Sequence, residues 1–147
     1  MIRRAEQKDI ERCVELGHHF YKQTAYGQVP YCYESASITM NLSLDQGLFA
    51  VLEVDGIVEG FILGLMSPMI FNRNVNVGAE LAWWVQPEYR KGRYGIDLLK
   101  FMEQLAQDEG VNIWSMMSLE AVEPEKIETI YKRMGYTKSE NTFMRIF

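Results

Sequence analysis

Two periodicities alternate along this chain. Over residues 8–21, Ile10, Cys13, Val14 and Tyr21 recur at helical spacing and Leu16 and Phe20 widen the stripe, which predicts an amphipathic helix. A weaker helical pattern covers 35–46 and is closed by Gly47. Between them lies an irregular stretch, 24–33, rich in Tyr and holding Gly27 and Pro30. Strand-like runs follow at 48–54 and 57–66, joined by Asp55-Gly56, a dipeptide suited to a tight hairpin because both turn positions need positive φ. Ser67-Pro68 is expected to end the second run, 72–76 to form a polar loop and 77–85 a third long strand. Over 95–108 the helical period returns, with Leu98, Leu99, Met102, Leu105 and Ala106 turned inward and Gly110 as the stop. A strand is expected at 112–119. Pro124 suits the first turn of a helix, where its missing N–H costs nothing, and Ile127, Ile130, Tyr131 and Met134 share one face up to Gly135. Short strands at 2–4, 136–137 and 142–147 complete a predicted order β-α-α-β-β-β-α-β-α-β-β, a mixed α/β domain around a central sheet.

Composition narrows the class. No repeat, low-complexity tract or linker interrupts the pattern, and 147 residues fit one domain, 1–147. Cys13 and Cys32 form no CxxC pair, so no disulfide framework and no metal site are expected, and a reducing compartment is the default. The N-terminus turns charged at Arg3 and Arg4, and the longest apolar run, 61–66, is strand-sized. Neither a signal peptide nor a membrane span is expected, and a cytoplasmic protein is the reading. A net charge of −5 disfavours general nucleic-acid binding, which wants a basic face. That charge suits a cationic substrate slightly better, and mere solubility at least as well.

The chemistry concentrates in Trp83-Trp84-Val85-Gln86-Pro87-Glu88-Tyr89-Arg90-Lys91-Gly92-Arg93-Tyr94-Gly95. An apolar strand stops at a proline, and a short glycine-containing turn opens into a helix. Such a turn exposes backbone N–H groups at the positive end of the helix dipole, a seat for phosphate, and Arg90, Lys91 and Arg93 cluster there in an acidic protein. An ordinary helix start with solvated basic residues accounts for the same pattern. No Walker lysine and no GxGxxG is present, so nucleoside triphosphate and dinucleotide folds lose ground.

This strand, turn and helix opening resemble the acetyl-CoA motif of GCN5-related N-acetyltransferases (GNAT), Arg/Gln-x-x-Gly-x-Gly/Ala, with Arg90 first and Gly95 last. The fourth position, usually glycine, is Arg93, and Gly92 stands one place earlier. The later Tyr131-x-x-x-Gly135-Tyr136 and the element order extend the resemblance over essentially the whole chain. It implies an acyl-CoA N-acyltransferase fold and acetyl-CoA as cosubstrate. Arg90, Lys91, Gly92, Arg93, Tyr94 and Gly95 would hold its phosphates. Val85 would pair with the pantetheine arm, and the Trp83 N–H would donate to the thioester carbonyl. The resemblance also puts Pro124 where the family often has a cofactor-contacting asparagine.

Glu80 is the general-base candidate. On a regular strand it shares a face with Ala82 and Trp84, and a carboxylate opening an apolar run is unusual, although a rim carboxylate in a surface ion pair fits as well. A protonated amine must lose its proton before attack, so the chemistry needs a base. Tyr131 matches the family tyrosine that protonates the departing thiolate; it also lies on its helix's apolar stripe, where packing alone would place a tyrosine. His18 and His19 point apart on one helix and read as structural residues. Gly56, Gly60 and Gly64 read as close sheet packing. Tyr21, Tyr26, Tyr31 and Tyr33 lie where the family builds one wall of its acceptor cleft, and a packed loop would look the same.

The expected activity is direct acetyl transfer from acetyl-CoA to a primary amine in a ternary complex. A weak or inactive acyl-CoA-binding module and an acetyltransferase acting on a protein or aminoacyl-tRNA are the competing readings. The amine acceptor's identity and a homodimeric state stay open.

Overall fold

The alternating runs between residues 48 and 85 become an antiparallel meander. The computed structural model describes residues 1–147, which cluster into two compact units, Met1–Met117 and Ser118–Phe147. The first holds β1 (Ile2–Arg4), a 3-10 turn (Gln7–Asp9), α1 (Ile10–Tyr21), α2 (Tyr33–Asp45), β2 (Phe49–Val54), β3 (Ile57–Met69), β4 (Asn72–Val85), a second 3-10 turn (Pro87–Tyr89), α3 (Tyr94–Asp108) and β5 (Ile113–Ser115). The sheet order is β1-β2-β3-β4-β5. The first four strands are antiparallel, and β5 returns through α3 to lie parallel to β4.

Strand alternation divides the core. Phe49, Val51, Phe61, Leu63 and Trp84 meet Ile10, Cys13, Val14 and Leu16 of α1 and Met40 of α2 on one face. Their strand neighbours Ala50, Leu52 and Ile62 point the other way and are fully buried, as are Leu98, Leu99 and Met102 of α3, which packs across β1 to β4. Burying each such side chain contributes roughly 1.5–3 kcal/mol relative to exposure. At the turn between β2 and β3, Asp55 (φ 50°) and Gly56 (φ 80°) both take the positive φ expected of the dipeptide.

Three sequence expectations are corrected. Pro68 does not end β3, and 72–76 is no loop: β3 and β4 continue as a ladder to the turn at Ile70 and Phe71, each 85% exposed. A proline is tolerated there because β2 stops pairing at Leu63, so the far end of β3 is an edge. Gln46 closes part of that edge, its amide donating to the Met66 carbonyl at 3.2 Å and accepting from the Met66 N–H at 2.8 Å. The strand expected at 112–119 shrinks to Ile113–Ser115, for a reason that lies in the site. The closing strands at 136–137 and 142–147 do not form. Apolar side chains alone cannot make a strand without a neighbour to complete its ladder, and none pairs with these residues; Phe143 is 93% exposed. In the second unit α4 (Pro124–Arg133) forms as expected, with Tyr131 buried.

The close sheet packing read from Gly64 holds. A Cβ there would stand 2.4 Å from the Trp114 ring and 2.5 Å from the Ala79 carbonyl, and the same ring covers Gly78. Because one obstacle is backbone, Gly64→Ala should cost about 3 kcal/mol or more, at or beyond the upper end of overpacking. Gly56→Ala meets nothing within 4 Å and should cost only about 1–2 kcal/mol for its positive φ. Urea unfolding of the two variants checks this: equal losses would mean that the indole and the carbonyl yield freely.

Candidate active site

β4 and β5 pair at only three positions, Val77 with Ile113, Gly78 with Trp114 and Ala79 with Ser115. Beyond Ala79, β4 runs on to Val85 with β3 alone, so residues 80–85 form a sheet edge that opens inside the sheet. The Gln86 N–H donates to the Glu59 carbonyl at 2.8 Å. The Val85 carbonyl, across the same peptide plane, therefore points away from β3, and strand alternation turns the N–H groups of Val85 and Trp83 the same way. The two backbone positions singled out in the sequence thus face the opening.

Just before them the register slips. Leu63 pairs with Ala82 and Gly64 with Glu80, leaving Leu81 as an extra residue, a β-bulge. Directly opposed residues share a face, and Leu63 and Gly64 lie on opposite faces. Glu80 therefore sits on the face opposite Ala82 and Trp84, which corrects the shared face expected from regular alternation. Leu81 and Ala82 both turn toward the α1 and α2 side, where they pack on the core.

The bulge sets the electrostatics of Glu80. Its side chain is 3% exposed, so the surface ion pair that competed for it is absent. Oε2 accepts from the Met117 N–H at 3.1 Å, taking a backbone donor where a longer β5 would have offered one to β4. Burial pushes the Glu80 carboxyl up to about 7, against the opposing effect of the Met117 hydrogen bond. A buried carboxyl poised near neutral pH is suited to general-base work.

The following turn divides its cations. The Arg90 Nε donates to the outward-facing Val85 carbonyl at 2.7 Å, and its guanidinium lies 4.4 Å over the Trp84 ring, whose other neighbour is the His19 ring at 6.0 Å. One of Val85's two edge groups is thereby already engaged. Lys91 and Arg93 are exposed, with a 3.5 Å contact from Arg93 to Asp97. Gly92 has φ 142° and open space where a Cβ would be. Arg93 is the N-cap of α3 and supplies no side-chain cap, so the first helical turn, with Tyr94 and Gly95, keeps its backbone donors for another acceptor. A Cβ on Gly95 would touch the Trp83 ring at 3.4 Å. Tyr131 belongs to the second unit, buried on α4 with its ring 5.5 Å from that of Tyr136.

On the α1 and α2 side, a cavity of about 400 Å³ opens over Leu81 and Ala82, walled by Phe20, Tyr31, Met40 and Phe61. Tyr31 is fixed by its hydroxyl on the Val14 carbonyl at 2.8 Å and by stacking on His18 at 4.8 Å. Gly17 admits that hydroxyl: a Cβ there would stand 2.8 Å from it. Tyr26 and Tyr33 are exposed and do not line the cavity; Tyr21 and Tyr31 do. The bulge, the Met117 donor and the stacked Trp84 left no sign in the sequence. Of the four tyrosines singled out, two, Tyr21 and Tyr31, stand in the cavity wall.

The sheet thus opens beside a buried carboxyl and is followed by a helix that starts without a side-chain cap. A sequence profile of the Acetyltransferase (GNAT) family matches residues 4–136, and the chain belongs to that family. Its structure is similar to the ribosomal-protein-alanine N-acetyltransferase of Brucella melitensis biovar Abortus 2308, with 14% identity, TM-score 0.72 and coverage of 100% of this chain and 99% of that one. A predicted acetyltransferase with acetyl-CoA from Clostridium acetobutylicum gives 15%, 0.74, 99% and 95%. The aminoglycoside N-acetyltransferase AAC(6')-Iy in complex with CoA gives 12%, 0.76, 100% and 93%. At these identities the likeness is one of fold. Comparison with curated proteins found no significant match. No helix is long and apolar enough to cross a membrane.

The Glu80 carboxyl predicts a pH signature in stability. Its value is raised from 4.5 to about 7, so the native state holds the proton more tightly than the unfolded chain. The resulting stabilisation is full below about pH 4.5 and is lost as pH rises to about 7. Glu80→Gln cannot titrate. Its melting temperature should gain on wild type across that window, by the equivalent of about 3 kcal/mol, and hold the lead above it. Parallel melting curves at all pH values would mean that Glu80 ionises as an exposed glutamate does.

Proposed function

We propose that the protein transfers an acetyl group from acetyl-CoA to a primary amine by direct attack in a ternary complex. The observation that carries this reading is the β4 edge at 80–85, left without a neighbouring strand and carrying the buried Glu80 at its fork. The residues present suit acetyl-CoA, which supplies the activated acyl group. Backbone groups of Trp83 and Val85 face the opening, and the Trp83 N–H is the donor for the thioester carbonyl, where negative charge develops. The uncapped start of α3, with Gly92, Tyr94 and Gly95, takes the phosphates. Exposed Lys91 and Arg93 add charge, and Arg90 holds the turn against Val85 and Trp84.

Glu80 accepts the proton of the acceptor ammonium, directly or through water, and Tyr131 returns a proton to the leaving thiolate. Neither cysteine lies on β4 or in the turn, which favours direct transfer over an acyl-enzyme. The three similar structures include acetyltransferases of a ribosomal protein and of aminoglycosides, so fold alone does not name the acceptor.

Acetyl-CoA should raise the melting temperature by binding only the native state. The Lys91→Ala/Arg93→Ala variant should weaken that shift, most at low salt. An unchanged shift would move the phosphates elsewhere, and stabilisation without turnover of any amine would favour a binding module.

In steady-state kinetics Glu80→Gln should lower kcat/KM by about 10²–10⁴-fold, with partial recovery as rising pH deprotonates the amine itself. Tyr131→Phe should slow turnover without that recovery and leave acetyl-CoA binding intact. A loss below about threefold in either variant removes that residue from the chemistry.

A further inference from the structure

The cavity over Leu81 and Ala82 carries chemistry that the proposed reaction leaves unspecified. No charged side chain lines it. Most of its polar side chains are engaged inside the protein, the exposed Ser35 hydroxyl at its rim apart. The Tyr31 hydroxyl donates to the Val14 carbonyl, the Tyr21 hydroxyl to the Val29 carbonyl and the Thr39 hydroxyl to the Ser35 carbonyl, while Cys32 Sγ accepts from the Ser35 N–H. A cationic or polyhydroxylated occupant would lose its water there and find little in exchange. An uncharged apolar group would only gain by leaving water. At about 400 Å³ the cavity lies in the lower part of the range for small-molecule sites, and the fixing of Tyr31 by His18, Val14 and Gly17 keeps that wall formed in advance.

The floor of the cavity connects it to the reaction. The bulge turns both Leu81 and Ala82 to this side, and the next residue, Trp83, turns its N–H to the opening between β4 and β5. A group seated on Leu81 and Ala82 therefore sits beside the place where the thioester would lie.

Resting on the transferase reading above, we infer that the acceptor is a small primary amine bearing one compact, uncharged apolar or aromatic group. That group occupies the cavity while a short linker carries the amine to the β4 edge. A polyamine, an aminoglycoside or a charged peptide is not the occupant this lining favours.

Cys32 supplies a readout that does not depend on turnover. It lines the cavity and is exposed, and its thiol is lowered by the hydrogen bond from Ser35. Cys13 is fully buried, with its thiol pushed up to about 12 by burial. Iodoacetamide should therefore alkylate Cys32 alone, and 2-phenylethylamine should slow that reaction where ethylamine and spermidine do not.

In acetyl-CoA assays, kcat/KM for 2-phenylethylamine and 3-methylbutylamine should exceed that for ethylamine, spermidine and kanamycin by at least about tenfold, a conservative figure for several methylenes in an apolar pocket. Ala36→Phe, which narrows the cavity, should cut the 2-phenylethylamine to ethylamine ratio by about the same factor. Should that variant not fold, the Cys32 protection of the wild-type protein still decides. Turnover of spermidine or kanamycin with no preference for the apolar amines, and no protection of Cys32, overturns the cavity assignment and leaves the transferase reading standing. Protection with no turnover of any amine overturns both the acceptor role and that reading.

Discussion

The arrangement depends on one inserted residue. Without Leu81 as a bulge, β4 would keep strict alternation through its middle, Glu80 would share a face with Ala82, and the carboxyl would point among the α1 and α2 side chains. The bulge instead sends the carboxyl to the opposite face and two small-to-medium apolar side chains to the near one. There Glu80 captures the Met117 N–H, and a backbone group that could have extended the β4–β5 ladder is satisfied by a side chain. The strands part where that exchange occurs. Burial of a carboxyl is ordinarily unfavourable; here it is tolerated at a raised proton affinity, which is also what a base working near neutrality needs.

Around the opening, the neighbouring elements are held by few contacts, each specific. Trp84 is packed into the core on one side of β4, and its ring stacks near His19 of α1 and carries the Arg90 guanidinium of the turn over it. The turn is therefore anchored to the sheet through an aromatic face and the Val85 carbonyl, so the start of α3 needs no side-chain cap of its own to stay in place. On the outer side, Trp114 lies across Gly64 and Gly78 and fixes the short β5 at the height where the pairing ends.

Much of this was legible in the sequence, for identifiable reasons. Helices announced by wide apolar stripes, α1, α3 and α4, came out where their period placed them, and Asp55-Gly56 made its turn because positive φ is a local requirement. Trp83 and Val85, named by the resemblance, turn their N–H groups to the opening because two-residue alternation survives from Ala82 to Gln86. The failures share a cause. Pro68 and residues 72–76 were read as interruptions because local composition does not reveal that a strand has become an edge. The tail at 142–147 is rich in apolar residues but has no partner, and pairing is a tertiary fact. The face of Glu80 was misread because a bulge is a register relation between two strands, written in neither. Arg90 reads in the sequence like its basic neighbours, and its contacts with Trp84 and the Val85 carbonyl, which set it apart from Lys91 and Arg93, are tertiary too.

The brevity of β5 has a consequence for how the molecule breathes. Strands β2 to β4 follow one another as hairpins, so their contacts close short loops and form early. β5 must return across the whole of α3 to make three parallel register pairs at the rim of the sheet. Local opening costs least where few buried contacts and few ladder positions hold a segment. The strand whose departure from β4 creates the cleft is thus, with β1, one of the two held by the fewest ladder positions, and the cleft lies at the seam between the hairpins that close locally and a strand brought in from a distance.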